Sequence, residues 1–137
     1  MALIQLIYVS TAVIELPEHM LDAILESSVR HNGAHGITGL LLYRRGSFMQ
    51  VLEGEAADVD EVYRRICRDQ RHYAVMELLR EEIAERSFAR WSMGFHRVED
   101  SDLQDRPEFA PLLFKGFSAE SIGARPGKAL HVLQSFS

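Results

Sequence analysis

Cysteine is almost missing from this 137-residue chain: Cys67 stands alone, which excludes an internal disulfide and a cysteine-rich zinc site. Set among helix-forming residues, Cys67 reads as a small buried apolar side chain, and a reducing compartment suits it. Long apolar runs are missing too. The N-terminal LIQLIYV is too short to span a bilayer and lacks the charged lead-in and small-residue cleavage site of a secretory signal. A cytoplasmic location with no membrane partner is the default expectation. Positive charge is in short supply, and a formal net charge of -5 weighs against direct nucleic-acid binding, because neutralising phosphates calls for a basic face. There is no glycine-rich phosphate loop, no His or Cys cluster at metal-ligand spacing and no nucleophile triad. Neither a metal nor an enzymatic activity is therefore expected.

What is present is an ordinary globular balance, 47% hydrophobic and 26% charged, in a length that buries one continuous core. Residues Leu3 to Val9 form an apolar run that reads as a buried first strand, with Ile4, Leu6, Tyr8 and Ser10 on one face. Pro17 suits the first turn of a helix in which Met20, Ile24 and Ser28, with Leu21, Leu25 and Val29, recur at helical spacing until Gly33. ITGLLLY and SFMQVLEG are strand-like runs joined by RRG, a short connection whose Gly46 suits a hairpin. From Ala56 to Arg68, the stripe Val59, Val62, Tyr63 and Ile66 predicts a second amphipathic helix.

Strand character returns at Tyr73, although VMELLREEIAERSF is ambiguous between helix and strand. RWSMGFHRV alternates Trp91, Met93 and Phe95 as a strand. The order β-α-β-β-α-β-β predicts an α+β, ferredoxin-like sandwich with two helices on one sheet face. FAPLLFKGF and KALHVLQSF read as two short amphipathic helices, separated by the Gly123 to Gly127 turn region, that cover the other face. The division expected is 1–98 for the sandwich and 99–137 for a helical extension too short to be an output domain of its own.

Three separated segments bring polar residues to one end of this sandwich: Tyr8, Asn32 and Gln50. Gln50 shares a strand face with Phe48 and Leu52, so a buried amide needs partners, and a phenol both donates and accepts. The pair reads either as a satisfied polar contact inside a core or as part of a ligand site. Ile24, Ser28 and Asn32 lie one above another at four-residue spacing. That face could cover a flat ring, or be a core stripe ending in a capping Asn. The second helix ends in RDQRH, where Arg71 and His72, oriented by Asp69, could bind a phosphate or be ordinary C-terminal charges.

Taken together, these segments resemble the BLUF family, the sensors of blue light using flavin. The resemblance rests on Tyr8 with Ser10, on His31-Asn32, on the ITG strand from Ile37, on FMQVLEG from Phe48, on RDQRH from Arg68 and on WSMGF from Trp91, all in order. It implies a stand-alone photoreceptor holding oxidised flavin noncovalently, as FAD or else FMN or riboflavin. The pocket it implies is lined by Tyr8, Ser10, Ile24, Ser28, His31, Asn32, Leu41, Phe48, Gln50, Ile66, Asp69, Arg71, His72 and Met93. It further implies that light drives an electron and a proton from Tyr8 by way of Gln50, whose amide rotates or tautomerises, with Met93 and Trp91 exchanging places nearby. The signal would pass through the sheet and C-terminal helices to an unidentified downstream protein, with a homodimer as one arrangement. Two other classes stay open. Acylphosphatases share the sandwich, but LIQLIYVS lacks their early arginine loop, and an adaptor with an empty pocket would be colourless.

Overall fold

The computed structural model describes residues 2–14, 17–91, 93–113, 116–117 and 126–137. In chain order they form β1 (Leu3–Ala12), α1 (Glu18–Ala34), β2 (Thr38–Arg44), β3 (Ser47–Glu55), α2 (Ala56–Arg68), β4 (His72–Glu82) and β5 (Gly94–Arg97). Among the described residues three short helices follow: α3 (Asp100–Gln104), α4 (Ala110–Leu113) and α5 (Pro126–Ser135). The strands make one sheet in the order β4-β1-β3-β2-β5, antiparallel except where β5 runs parallel to β2. This is the expected α+β sandwich.

Burial of both faces of β1 explains why apolar residues dominate it on either side of the alternation. Ile4, Leu6, Tyr8 and Ala12 join Leu21 of α1 and Val59 and Val62 of α2 in one buried cluster. Ile7 and Val9 face the other way and join Leu103, Phe109, Leu113, Val132 and Leu133 of the C-terminal segment in a second. A strand covered on both faces has no polar side to show. The hairpin between β2 and β3 closes on two residues, Arg45 (φ 47) and Gly46 (φ 79), the left-handed pair that matches the twist of the flanking strands. Arg44, expected in the turn, belongs to β2. Its buried guanidinium donates to the carbonyls of Leu113 at 2.7 Å and Val98 at 3.0 Å and to Asp100 at 2.7 Å, pinning the extension to the sheet.

Several expectations change. Of the ambiguous stretch, Val75 to Glu82 is strand, within β4, and the remainder to Phe88 lies outside it. The alternation of β4 is broken because the β1 pairing shifts register between Ile7 and Tyr8 and again between Val9 and Thr11, with Ala74 at φ 54. The fifth strand is shorter than expected and starts at Gly94. Before it, the Trp91 N–H donates to the Phe88 carbonyl at 3.1 Å, a turn bond that keeps this backbone out of the ladder. Pro17 stands at the N-cap of α1, just outside its first turn. Cys67 is exposed, because α2 buries only Val59 and Val62 fully and Cys67 lies off that face. Helix α3 was not foreseen. Of the tail helices, Phe114, Lys115 and the Gly123 to Arg125 part of the turn region lie outside the described residues. No described helix is long and apolar enough to cross a membrane.

Candidate functional site

The two long helices and the sheet leave between them a cavity of about 430 Å³, within the usual range for small-molecule sites. Ile24, Ser28 and Asn32 of α1 form one wall because four-residue spacing stacks them on one helix face. Val62 and Ile66 of α2 form the opposite wall, and Tyr8, Leu41, Phe48 and Gln50 the floor. Gln50 faces Tyr8 in the β1–β3 register and Leu41 in the β2–β3 register, so its amide lies mid-floor on the central strand.

That amide is held at both ends. The Tyr8 hydroxyl donates to Gln50 Oε1, and Gln50 Nε2 donates to Met93 Sδ at 3.2 Å. A primary amide carries two N–H donors, so a second remains for a group in the cavity. Tyr8 is buried, and burial pushes its phenol well above the usual range, so it stays protonated and poised to donate. The ring of Tyr63 lies 5.6 Å from that of Tyr8. On the helix wall, Asn32 is 2% exposed, and among the described residues its Nδ2 has no hydrogen-bond partner. An orphaned buried donor costs roughly 1–3 kcal/mol, which a ligand acceptor in the cavity would relieve.

The mouth is polar. Arg71 Nε donates to both oxygens of Asp69, at 2.9 and 3.0 Å, and this guanidinium holds the Asp69 carboxyl below its ordinary value. His72 lines the cavity through a ring fixed on two sides. Its Nε2 lies 2.6 Å from the Ile66 carbonyl, which can only accept, so that nitrogen donates and Nδ1 accepts from the Ser10 hydroxyl at 2.7 Å in the neutral ring. Arg65 Nη1 lies 2.6 Å from His31 Nδ1.

Of the fourteen residues the resemblance places in the pocket, twelve line the cavity. Ser10 and Met93 stand one layer back, Ser10 against His72 and Met93 against Gln50. Trp91 is 41% exposed and rests over Gly94, where an added Cβ would come within 3.1 Å of Trp91 Cδ2. Ser27, Val62, Arg65 and Arg68 also line the cavity and were not foreseen as lining. The signal for two of them, Val62 and Arg65, was available: 62, 65, 66 and 69 recur at helical spacing on the face of α2 that leads to Asp69.

The donors and surfaces fit a flat heteroaromatic ring with a polar edge and a phosphorylated tail: apolar walls, amides at one end and guanidinium groups at the other. The comparisons with known proteins agree. Residues 3–94 match the family model described as BLUF, sensors of blue-light using FAD. The chain is 33% identical over 131 residues to the blue light- and temperature-regulated antirepressor BluF of Escherichia coli (strain K12). That alignment covers 96% of the chain but only 32% of the relative's length. Among solved structures, the BLUF protein BlrB in its dark state superposes with a TM-score of 0.78 at 28% identity, over 99% of this chain and 98% of that one. BlsA in its photo-activated state gives 0.78 at 30% identity, over 96% and 94%. With its family matched along the same strands and helices that build the cavity, the chain belongs to the BLUF family of blue-light flavin sensors.

Proposed function

We propose that the cavity holds oxidised flavin noncovalently and that the Gln50 amide is the light-driven switch. When bound, the flavin supplies blue-light absorption and an excited state that accepts an electron. Tyr8 is the donor: it sits beside the amide, it is kept protonated by burial, and its proton has a ready path onto Gln50 Oε1. Asn32 offers its unpartnered Nδ2 to a ring acceptor, while Ile24, Phe48 and Ile66 sandwich the apolar part. The amide suits a switch because its oxygen and nitrogen ends are nearly equal in size. Rotation or tautomerisation therefore exchanges donor and acceptor with little repacking, and the Tyr8 hydroxyl can accept as readily as donate. What changes is the bond to Met93 and the bond offered to the flavin carbonyl, which reads out as a red shift.

The observation that carries this reading is the hydrogen-bonded Tyr8–Gln50 pair in the cavity floor with Met93 behind it. Blue illumination of the purified protein tests it: a yellow protein with a reversible red shift is expected, and a colourless one after reconstitution with flavin would refute it. FAD is the flavin proposed, with the guanidinium groups of Arg68 and Arg71 and the imidazole of His31 at the phosphate end. Chromatography of the denatured protein distinguishes it from FMN and riboflavin. Residues 1–98 are proposed as the sensor and 99–137 as a relay to a cytoplasmic partner protein, with a homodimer as one assembly. The role is sensory, and no catalytic step is assigned to the chain.

A further inference from the structure

Glu53 lies in the same strand as Gln50, but alternation along β3 turns it to the opposite face, away from the cavity. It is fully buried. Its carboxylate accepts from Gln5 Nε2 at 2.9 Å and from two consecutive backbone amides, Ser87 at 2.9 Å and Phe88 at 2.8 Å. Arg86 strengthens the same corner by donating from Nη1 to the Glu53 carbonyl at 3.0 Å and to Thr38 Oγ1 at 2.8 Å. Thr38 faces Glu53 in the β2–β3 register.

Three residues back along β3, Gln50 holds Met93. Between the two points, the Trp91 N–H donates to the Phe88 carbonyl at 3.1 Å and the Trp91 carbonyl accepts from the Gly39 N–H at 3.0 Å. Residues 86–91 and Met93 thus form a bridge tied to β3 at two points, Glu53 and Gln50, and to β2 through the Trp91 carbonyl. Of the two β3 fastenings, one is a carboxylate with two amides, which is strong; the other is an amide with a thioether, which is weak.

Resting on the photosensor reading, we propose that Glu53 is a positioning residue for the light reaction. Its carboxylate fixes the Ser87–Phe88 end of the bridge. When Gln50 releases Met93, the segment carrying Trp91 and Met93 therefore shifts between two held points, the Ser87–Phe88 end and the β2 contact of Trp91. A merely structural Glu53 would act by joining β1 to β3 through Gln5, and the two roles are separable.

Trp91 is the only tryptophan, so its emission and acrylamide quenching in flavin-free protein report the bridge directly, beside hydrogen exchange at Ser87 and Phe88. Glu53→Gln keeps the size but turns a donor toward amides that need an acceptor. It should raise exchange at the two amides at least about tenfold and make Trp91 more quenchable, while Gln5→Leu does neither. In flavin-loaded protein, Glu53→Gln should keep the red shift but return to the dark spectrum at least about threefold faster. Unchanged exchange and quenching in flavin-free Glu53→Gln, the same changes in Gln5→Leu, or an unchanged dark recovery would each overturn the proposal. If Glu53→Gln does not fold, Glu53→Asp keeps the charge, withdraws the oxygens by one methylene and is judged by the same readouts. A parent protein without any red shift overturns the photosensor reading instead, and the flavin-free signals then still decide where the bridge is fastened.

Discussion

Replacing Gln50 by Leu separates light absorption from switching. Leu fits the apolar surroundings of Leu41, Phe48 and Leu52 and keeps most of the bulk, so the cavity should survive and flavin should bind. The variant nevertheless removes the acceptor of the Tyr8 hydroxyl in a residue only 3% exposed, and an orphaned buried hydroxyl costs about 2 kcal/mol. The Met93 contact adds little, because a thioether is a weak acceptor. Flavin-free Gln50→Leu should therefore unfold roughly 5–10 °C below the parent. Tyr8→Phe should lose a similar ~2 kcal/mol by orphaning Gln50 Oε1. The double variant has no orphan and should lose less than about 1 kcal/mol where additivity gives ~4, a coupling of about 3 kcal/mol. Under blue light, flavin-loaded Gln50→Leu should absorb and fluoresce without forming the red-shifted state. A normal reversible red shift in fully loaded Gln50→Leu would refute the amide switch, and additive losses in the cycle would refute the hydrogen-bond accounting.

Asn32→Ala deletes the orphaned Nδ2 donor, and its flavin dissociation constant, measured by fluorescence titration, should rise about tenfold, the equivalent of ~1.4 kcal/mol. Arg71 depresses the Asp69 carboxyl below its ordinary value of 3.8, so this pair's stabilisation is present above that value and is lost as pH falls through the lower folded one. Thermal midpoints recorded against pH should therefore drop more steeply below about pH 4 in the parent than in Asp69→Asn; parallel profiles would count against the pair. Arg44→Gln withdraws the guanidinium donors from the Val98 carbonyl and from the Leu113 carbonyl, which keeps only the Gly116 N–H, and should destabilise by roughly 3 kcal/mol. Hydrogen exchange over residues 98–113 should rise, and an unaltered pattern there would show that the extension is held by its apolar contacts alone.

Much of the cavity was legible because it depends on local period. The stacking of Ile24, Ser28 and Asn32 follows from 3.6 residues per turn, and the shared faces of Tyr8 with Leu6 and of Gln50 with Phe48 follow from strand alternation. The Arg45-Gly46 hairpin follows from the need for two left-handed residues. These features rest on neighbours a few positions apart, so the amino-acid order alone determines them, together with the two-faced burial of β1. The residues the family resemblance added to the pocket were mostly those whose long-range partners no period reveals.

Tertiary structure decided the rest, wherever an interaction depends on which strand lies beside which and in what register. The two register shifts that break the alternation of β4 belong to the β1–β4 pairing and are written in neither strand alone. Only the chain path brings Met93 under Gln50, Ser10 behind His72, and Ser87 and Phe88 onto Glu53. Cys67 looked buried by composition and is exposed because it lies off the Val59–Val62 face that α2 buries. Trp91 alternates with Met93 in the sequence, but its backbone is drawn into a turn with Phe88, so the ring lies over Gly94 and the strand begins only there. Local spacing sets which side chains share a face, whereas the register of distant strands sets what each face meets.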